Sequence, residues 1–255
     1  MSQKLENVKR LYLEGIRDGD AKAALDRYIG ERYTQHSTGV GHGKQGFLDF
    51  FLPFLDRNPD RDIRIVRAIE DGPYVFCSAF QSLNGGTAKW VTMDLFYTGS
   101  DDRILEHWDV ISEYVASTPS GEDMVGGPAG STTTNGTDAN KALVREFVKQ
   151  VLTEGQIDRL ARFVSADLIQ HEPRISGGRD GLASALRTGL VGSYDMLFKL
   201  IGEGDLVVTY SRVFRDQADH AVFDVYRIDQ GLIVEHWGLS EPILPRDQWG
   251  NSGKF

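Results

Sequence analysis

A chain that repeats itself must build its structure twice, and this one does. In the first half, Tyr33-Thr34-Gln35-His36 is followed by a glycine-rich run, Gly39 to Gly46, and later by Arg103-Ile104-Leu105-Glu106-His107-Trp108-Asp109-Val110. The second half answers with Leu168-Ile169-Gln170-His171, then Gly177-Gly178-Arg179-Asp180-Gly181-Leu182, then Leu232-Ile233-Val234-Glu235-His236-Trp237-Gly238-Leu239. From His36 to His107 is 71 residues and from His171 to His236 is 65, a difference that one loop absorbs.

Each copy opens on an amphipathic helix, with Leu5, Val8, Tyr12 and Ile16 at helical spacing in one and Val144, Phe147, Val148 and Val151 in the other. Gly19 and Gly155 suit left-handed caps, and a second short helix follows each. After the glycine-rich turn comes a helix, Lys44 to Leu55, stopped near Asn58-Pro59. Four strand-like runs then form an antiparallel meander: 62–69, 74–83, 89–98 and 103–114, matched by 194–202, 206–214, 221–229 and 232–239. Helices first and strands after give an α+β fold. The expected division is copy one at 1–117, a Gly/Ser/Thr-rich linker at 118–138 and copy two at 139–255. In the run from Lys89 to Thr98, alternation puts Trp90, Thr92, Asp94 and Phe96 on one face and Val91, Met93, Leu95 and Tyr97 on the other. Neither face is polar, so the two sheets are expected to pack on each other as an internal pseudo-dimer, in a monomer or a homodimer.

A net charge of −9 argues against nucleic-acid and anionic-membrane partners and leaves a small neutral or cationic molecule as the expected ligand. A single cysteine, Cys77, excludes an internal disulfide and reads as a buried thiol. The opening MSQKLENVKR shows no secretory pattern and no run is long enough to span a membrane, so a cytoplasmic protein is expected.

The Tyr-x-Gln-His strand, the glycine-rich turn and the closing Ile-x-Glu-His-Trp-Asp resemble SnoaL-like, polyketide-cyclase-related proteins of the nuclear transport factor 2-like superfamily, in both halves. The resemblance implies two tandem cone-shaped α+β barrel units, each with a curved sheet and helices around an apolar pocket. It implies an aldol-type cyclisation, isomerisation or dehydration, lyase or isomerase chemistry on a small carbonyl compound with no metal and no organic cofactor. It also matches Asp109 to the family's functional carboxylate.

That chemistry needs a base beside a carbonyl and an acid for the oxygen where charge develops. His107 and Asp109 alternate onto one face of the last strand. Asp109 is the expected base, His107 and His36 are expected donors or orienting groups, and Asp94 is expected to hold a histidine or serve as a second acid. Tyr33, Gln35, Trp90, Thr92 and Phe96 are expected to line the pocket. A metal site from His36, His107 and an aspartate lacks a specific spacing. His42 and His220 read as exposed loop residues. Copy two keeps His171, Asp224, Tyr226 and His236 for a second pocket, but Gly238 stands where Asp109 stands in copy one. That pocket is therefore inactive, a binding site, or supplied by Glu172, Tyr226 or Ser240. Two other functions compete: a non-catalytic binding or scaffold protein, and an epoxide hydrolase with Asp94 and Asp109 as its aspartates. Thr92, where such hydrolases have arginine, counts against the second.

Overall fold

The first amphipathic stretch folds where its spacing predicts. In the computed structural model, which describes residues 2–255, helix α1 (Gln3–Arg10) starts at Ser2, whose hydroxyl accepts from the Leu5 N–H. It widens into π-helical turns over Leu11–Arg17, a form often found beside functional sites. Gly19 follows at φ +87°, a left-handed position that a side chain would resist. Then come α2 (Ala21–Tyr28), β1 (Ile29–Gln35), α3 (Gly43–Arg57), β2 (Arg61–Asp71), β3 (Tyr74–Leu83), β4 (Ala88–Thr98) and β5 (Ile104–Glu113).

The second half repeats this order with α4 (Thr137–Phe147), π-helical turns over Val148–Thr153, and Gly155 at φ +68°. The second short helix is here a 3-10 turn, Ile157–Arg162, and it leads into β6 (Val164–Gln170) and α5 (Gly178–Arg187). Strands β7 (Ser193–Glu203), β8 (Leu206–Arg215), β9 (Ala218–Asp229) and β10 (Leu232–Pro242) complete it. The two halves are thus one α+β architecture built twice.

Each meander is antiparallel as expected, but the sheets are not wholly so. β1 pairs parallel with β5 and β6 pairs parallel with β10, giving sheet orders β1-β5-β4-β3-β2 and β6-β10-β9-β8-β7. The parallel edge extends one residue further, with the His36 N–H bonded to the His107 carbonyl at 2.9 Å and the His171 N–H to that of His236 at 2.8 Å. Parallel pairing needs a long crossover, which a short Tyr-x-Gln-His run does not advertise in sequence. In each unit helices cover one sheet face: Val8, Leu25 and Phe47 pack with Ile63 and Val75 in the first, and Val144, Phe147 and Leu182 with Val207 and Val213 in the second. No helix among the described residues is long and apolar enough to cross a membrane.

The units are not the contiguous halves the composition suggests. The first comprises the chain up to Glu113 together with Leu244–Phe255, and the second is Tyr114–Ile243. Residues 118–138 are therefore built into the second unit and are no free linker. The Asp123 carbonyl pairs with His171 Nδ1 at 2.5 Å, the Gly126 carbonyl accepts from Trp237 Nε1 at 2.9 Å, and Met124 is buried. Leu244–Phe255 occupies the corresponding place in the first unit, where the Gly253 carbonyl pairs with His36 Nδ1 at 2.6 Å and Asn251 Nδ2 donates to the Ser37 and Val40 carbonyls. Gly- and Ser-rich composition conceals such a segment because its own backbone and hydroxyls make the bonds.

Further along, Asp205 accepts from Ser131 Oγ at 2.6 Å, Thr132 N at 2.9 Å and Thr132 Oγ1 at 2.6 Å. Hydrogen bonds to a charged group contribute more than neutral ones, so Asp205→Ala is expected to cost about 2–3 kcal/mol and to open residues 128–136 to protease. Unchanged cleavage kinetics under limited proteolysis would show that this anchor is dispensable.

Candidate functional site

Alternation along β4 and β5 carries Thr92, Asp94, Phe96, His107 and Asp109 into one cavity of about 210 Å³ in the first unit. The π-helical turns supply Leu11, Tyr12 and Ile16 to its wall, and α3 supplies Phe47, Phe51 and Phe54. Leu83, Trp90 and Ile111 also line it, Leu83 buried and Trp90 and Ile111 among the exposed large hydrophobics. It is an apolar cone with a polar floor.

The floor is a chain of hydrogen bonds. Asp94 Oδ1 meets His107 Nε2 at 2.9 Å, His107 Nδ1 meets Gln35 Oε1 at 2.9 Å, and Gln35 Nε2 donates to Tyr33 Oη at 3.2 Å. Gln35 Oε1 also accepts the backbone N–H groups of His36 and Ser37, which fixes which end of the amide is oxygen. His107 Nδ1 must therefore carry a hydrogen, and the imidazole faces Asp94 through Nε2. Phe96 stacks on the ring at 4.6 Å. Burial pushes the Asp94 carboxyl up, against the hydrogen bond and charge of His107, while the nearby Asp109 charge adds to the rise. Its Oδ2 is buried without a hydrogen-bond partner, although the Tyr12 hydroxyl, engaged with Thr92 at 3.1 Å, lies close enough to ease that charge. Burial, with the charges of Asp109 and Asp94, drives the Tyr33 phenol far above its usual range, so it remains a proton-bearing donor.

Asp109 is held differently. Burial alone would raise its carboxyl, but the Lys254 ammonium and His107 outweigh this and hold it below the usual carboxylate range. Lys254 Nζ donates to Asp109 Oδ1 at 2.8 Å and to its carbonyl at 2.9 Å, and both side chains are buried. Ser37 contributes a further hydrogen bond. Lys254 and Ser37 escaped the sequence reading. The only signal was indirect, since a buried aspartate demands a counter-charge.

His36 is a correction. It follows Gln35 directly, so alternation turns it to the opposite sheet face, where it stacks on Trp108 at 4.8 Å and pairs with Glu106 at 2.9 Å. His171 repeats this with Trp237, at 4.8 Å, and Glu235, at 2.9 Å, and likewise lies outside the second pocket. His220 is also corrected: it is buried in β9, not exposed in a loop. His42 is exposed and precedes α3. Cys77 is buried as expected.

The second unit keeps the same floor with different ends. His236 bridges Gln170 and Asp224 at 2.9 Å on each side, under Tyr226. Leu168 stands where Tyr33 stands, and Gln170 Nε2 is left without a partner. Tyr194 Oη caps Asp224 Oδ2 at 2.8 Å, and the cavity shrinks to about 30 Å³, room for little more than water.

The missing acid has moved. A Cβ added at Gly238 would lie 3.0 Å from Glu172 Cγ and 3.2 Å from Asp224 Oδ1, so the Glu172 side chain fills the space beside that glycine. Glu172 occupies the position of Ser37, and Arg174 answers it from Nε at 2.6 Å and from its backbone N–H at 2.8 Å. Met124 stands where Lys254 stands. Acid and cation have changed places on the scaffold together.

Asp94, His107 and Asp109 bring ligand atoms within 4.8 Å of one another, which is metal-like spacing. Those groups are already engaged, with Lys254 Nζ on Asp109 Oδ1 and His107 Nε2 on Asp94 Oδ1.

Residues 8–107 match the SnoaL-like domain family. The first unit is a SnoaL-like domain. The second unit repeats the strand order of the first. Similar solved structures each span about one unit of this chain. IdmH of Streptomyces antibioticus, a proposed polyketide cyclase, is 18% identical over 44% of this chain and 93% of its own, with a TM-score of 0.38. A proposed ketosteroid isomerase of Kribbella flavida is 12% identical over 44% and 85%, with a TM-score of 0.40. An LEH-like epoxide hydrolase of M. tuberculosis is 17% identical over 42% and 86%, with a TM-score of 0.36. No curated protein matches the chain in sequence.

Proposed function

We propose that the first SnoaL-like unit is a cofactor-independent enzyme that moves protons on a small, largely apolar carbonyl compound, in an aldol-type cyclisation, an isomerisation or a dehydration. One observation carries this reading: a single apolar cavity holds both an ionised carboxylate, Asp109, and a phenol kept protonated, Tyr33. Those are the two ends of an enolisation. Asp109 takes a proton from the carbon next to the carbonyl, and the electron pair moves onto the carbonyl oxygen. Tyr33, whose oxygen already accepts from Gln35, turns its own hydrogen towards that oxygen. Asp94 and His107 fix the Gln35 amide from behind, so the donor is oriented before substrate arrives.

Thr92 bonds to Tyr12 and offers no cation to an opening epoxide, so the hydrolase reading gains nothing. The second unit has Leu168 for the phenol, Gly238 for the base and almost no cavity, which supports a non-catalytic role for it.

The test needs no natural substrate. 2-Tetralone in deuterated buffer exchanges its acidic α-hydrogens, and proton NMR follows the loss. The chain is expected to accelerate this exchange and Asp109→Asn to slow it by about 10²–10⁴-fold, the usual share of a general base. Asp224→Asn in the second unit should leave it unchanged. Exchange no faster than in buffer, or an Asp109→Asn variant as fast as the parent, would end the proposal.

A further inference from the structure

Equivalent strand positions in the two units have diverged. By strand register, Leu83, Trp90 and Ile111 of the first unit correspond to Arg215, His220 and Ser240 of the second. Three apolar side chains have become a guanidinium, an imidazole and a hydroxyl.

Arg215 is 9% exposed, and its five N–H donors are poorly used. Nη2 donates to Ser240 Oγ at 2.9 Å, while Nε is buried without a hydrogen-bond partner. Asp216, 84% exposed in its side chain, stands 3.5 Å from Nε, within ion-pair reach but outside bonding geometry. Glu172 is nearby, but both its oxygens are committed to Arg174. Arg174 and His220 share the same neighbourhood, and burial, then the Arg174 charge, depresses the Arg215 guanidinium. A buried, under-compensated cation is costly to keep. Arg215 also lines a second hollow, of about 390 Å³, whose walls include Leu152, Ile157, Leu186 and the half-exposed Phe214. A forked cation thus sits at the end of a partly apolar groove.

We propose that the second unit binds a small organic carboxylate, its anionic head held by Arg215 and its apolar body lying in the groove beside Phe214. The planar guanidinium suits a carboxylate's two oxygens, and the groove suits a ring or short chain. The site owes nothing to proton transfer in the first unit and stands or falls separately.

Benzoate is the probe, titrated calorimetrically into the full chain at fixed ionic strength, with its neutral isostere benzamide as control. Saturable benzoate binding is expected, with benzamide at least tenfold weaker. Arg215→Leu, which installs the residue the first unit has there, should remove the binding without loss of thermal stability, because an under-paired buried charge is replaced by an apolar side chain. Should that variant fold poorly, Arg215→Gln serves in its place, with the same loss of binding expected. No saturable benzoate binding, equal affinity for benzamide, or unchanged affinity in a folded Arg215 variant would overturn the proposal.

Discussion

Lys254→Met should destabilise the first unit by about 3–5 kcal/mol at neutral pH, the cost of breaking a buried ion pair from one side. Methionine nearly matches the lysine in shape, and the second unit carries Met124 at the equivalent place, so packing survives and the loss is electrostatic. Asp109 would then sit buried with its counter-ion gone. The pH dependence has a definite sign. In the parent chain the Asp109 carboxyl is depressed, so its contribution is fully present above its unfolded value and is lost as pH falls through the folded one. In the variant burial acts unopposed by lysine and pushes the carboxyl up, so the deficit is largest near neutrality and shrinks as pH falls into the carboxylate range. Urea unfolding followed through hydrogen exchange of the β5 amides reads this directly. Adding Asp109→Asn to the variant should recover much of the loss. A deficit under about 1 kcal/mol, or one independent of pH, would mean that the pair is not a buried salt bridge in solution.

That lysine also marks the limit of what sequence reveals. His107, Asp109 and Asp94 could be brought to one face because period-two alternation and the Glu-His-Trp marker fix register within single strands. The same rule forbids Gln35 and His36 from sharing a site, since neighbours on a strand face opposite ways. Gln35 therefore enters the cavity while His36 stacks on Trp108. Lys254 lies 145 residues from its partner, in a polar run with no periodicity, and no local pattern joins them. The parallel edge strands and the division into units were hidden similarly, because each depends on a long-range pairing of short segments. Gly238 was legible as a lost acid but not as a relocated one: the match of Ser37 with Glu172 gains meaning only once the side chains meet.

Gly238→Asp is the second large effect. The new side chain would enter a space where Glu172 and Asp224 already stand 3.0 and 3.2 Å from its Cβ. Overpacking alone costs about 1–3 kcal/mol, and a further buried carboxylate without a free cation adds to it. Combining it with Glu172→Ser recreates the arrangement of the first unit and should relieve the crowding, returning at least half of the lost stability. If the single variant unfolds at the same urea concentration as the parent, the Glu172 side chain does not fill that space. If the double is no better than the single, the two positions are not exchanging one carboxylate.

The exchange of Leu244–Phe255 and the 118–138 segment sets an order of events during synthesis. Asp109 emerges from the ribosome long before Lys254. At translation rates of roughly 5–20 residues per second, the nascent first sheet waits on the order of ten seconds for its cation. Over that interval the aspartate must stay hydrated or take up a proton, so the first cavity gains its final charge pairing only after the second sheet has been made.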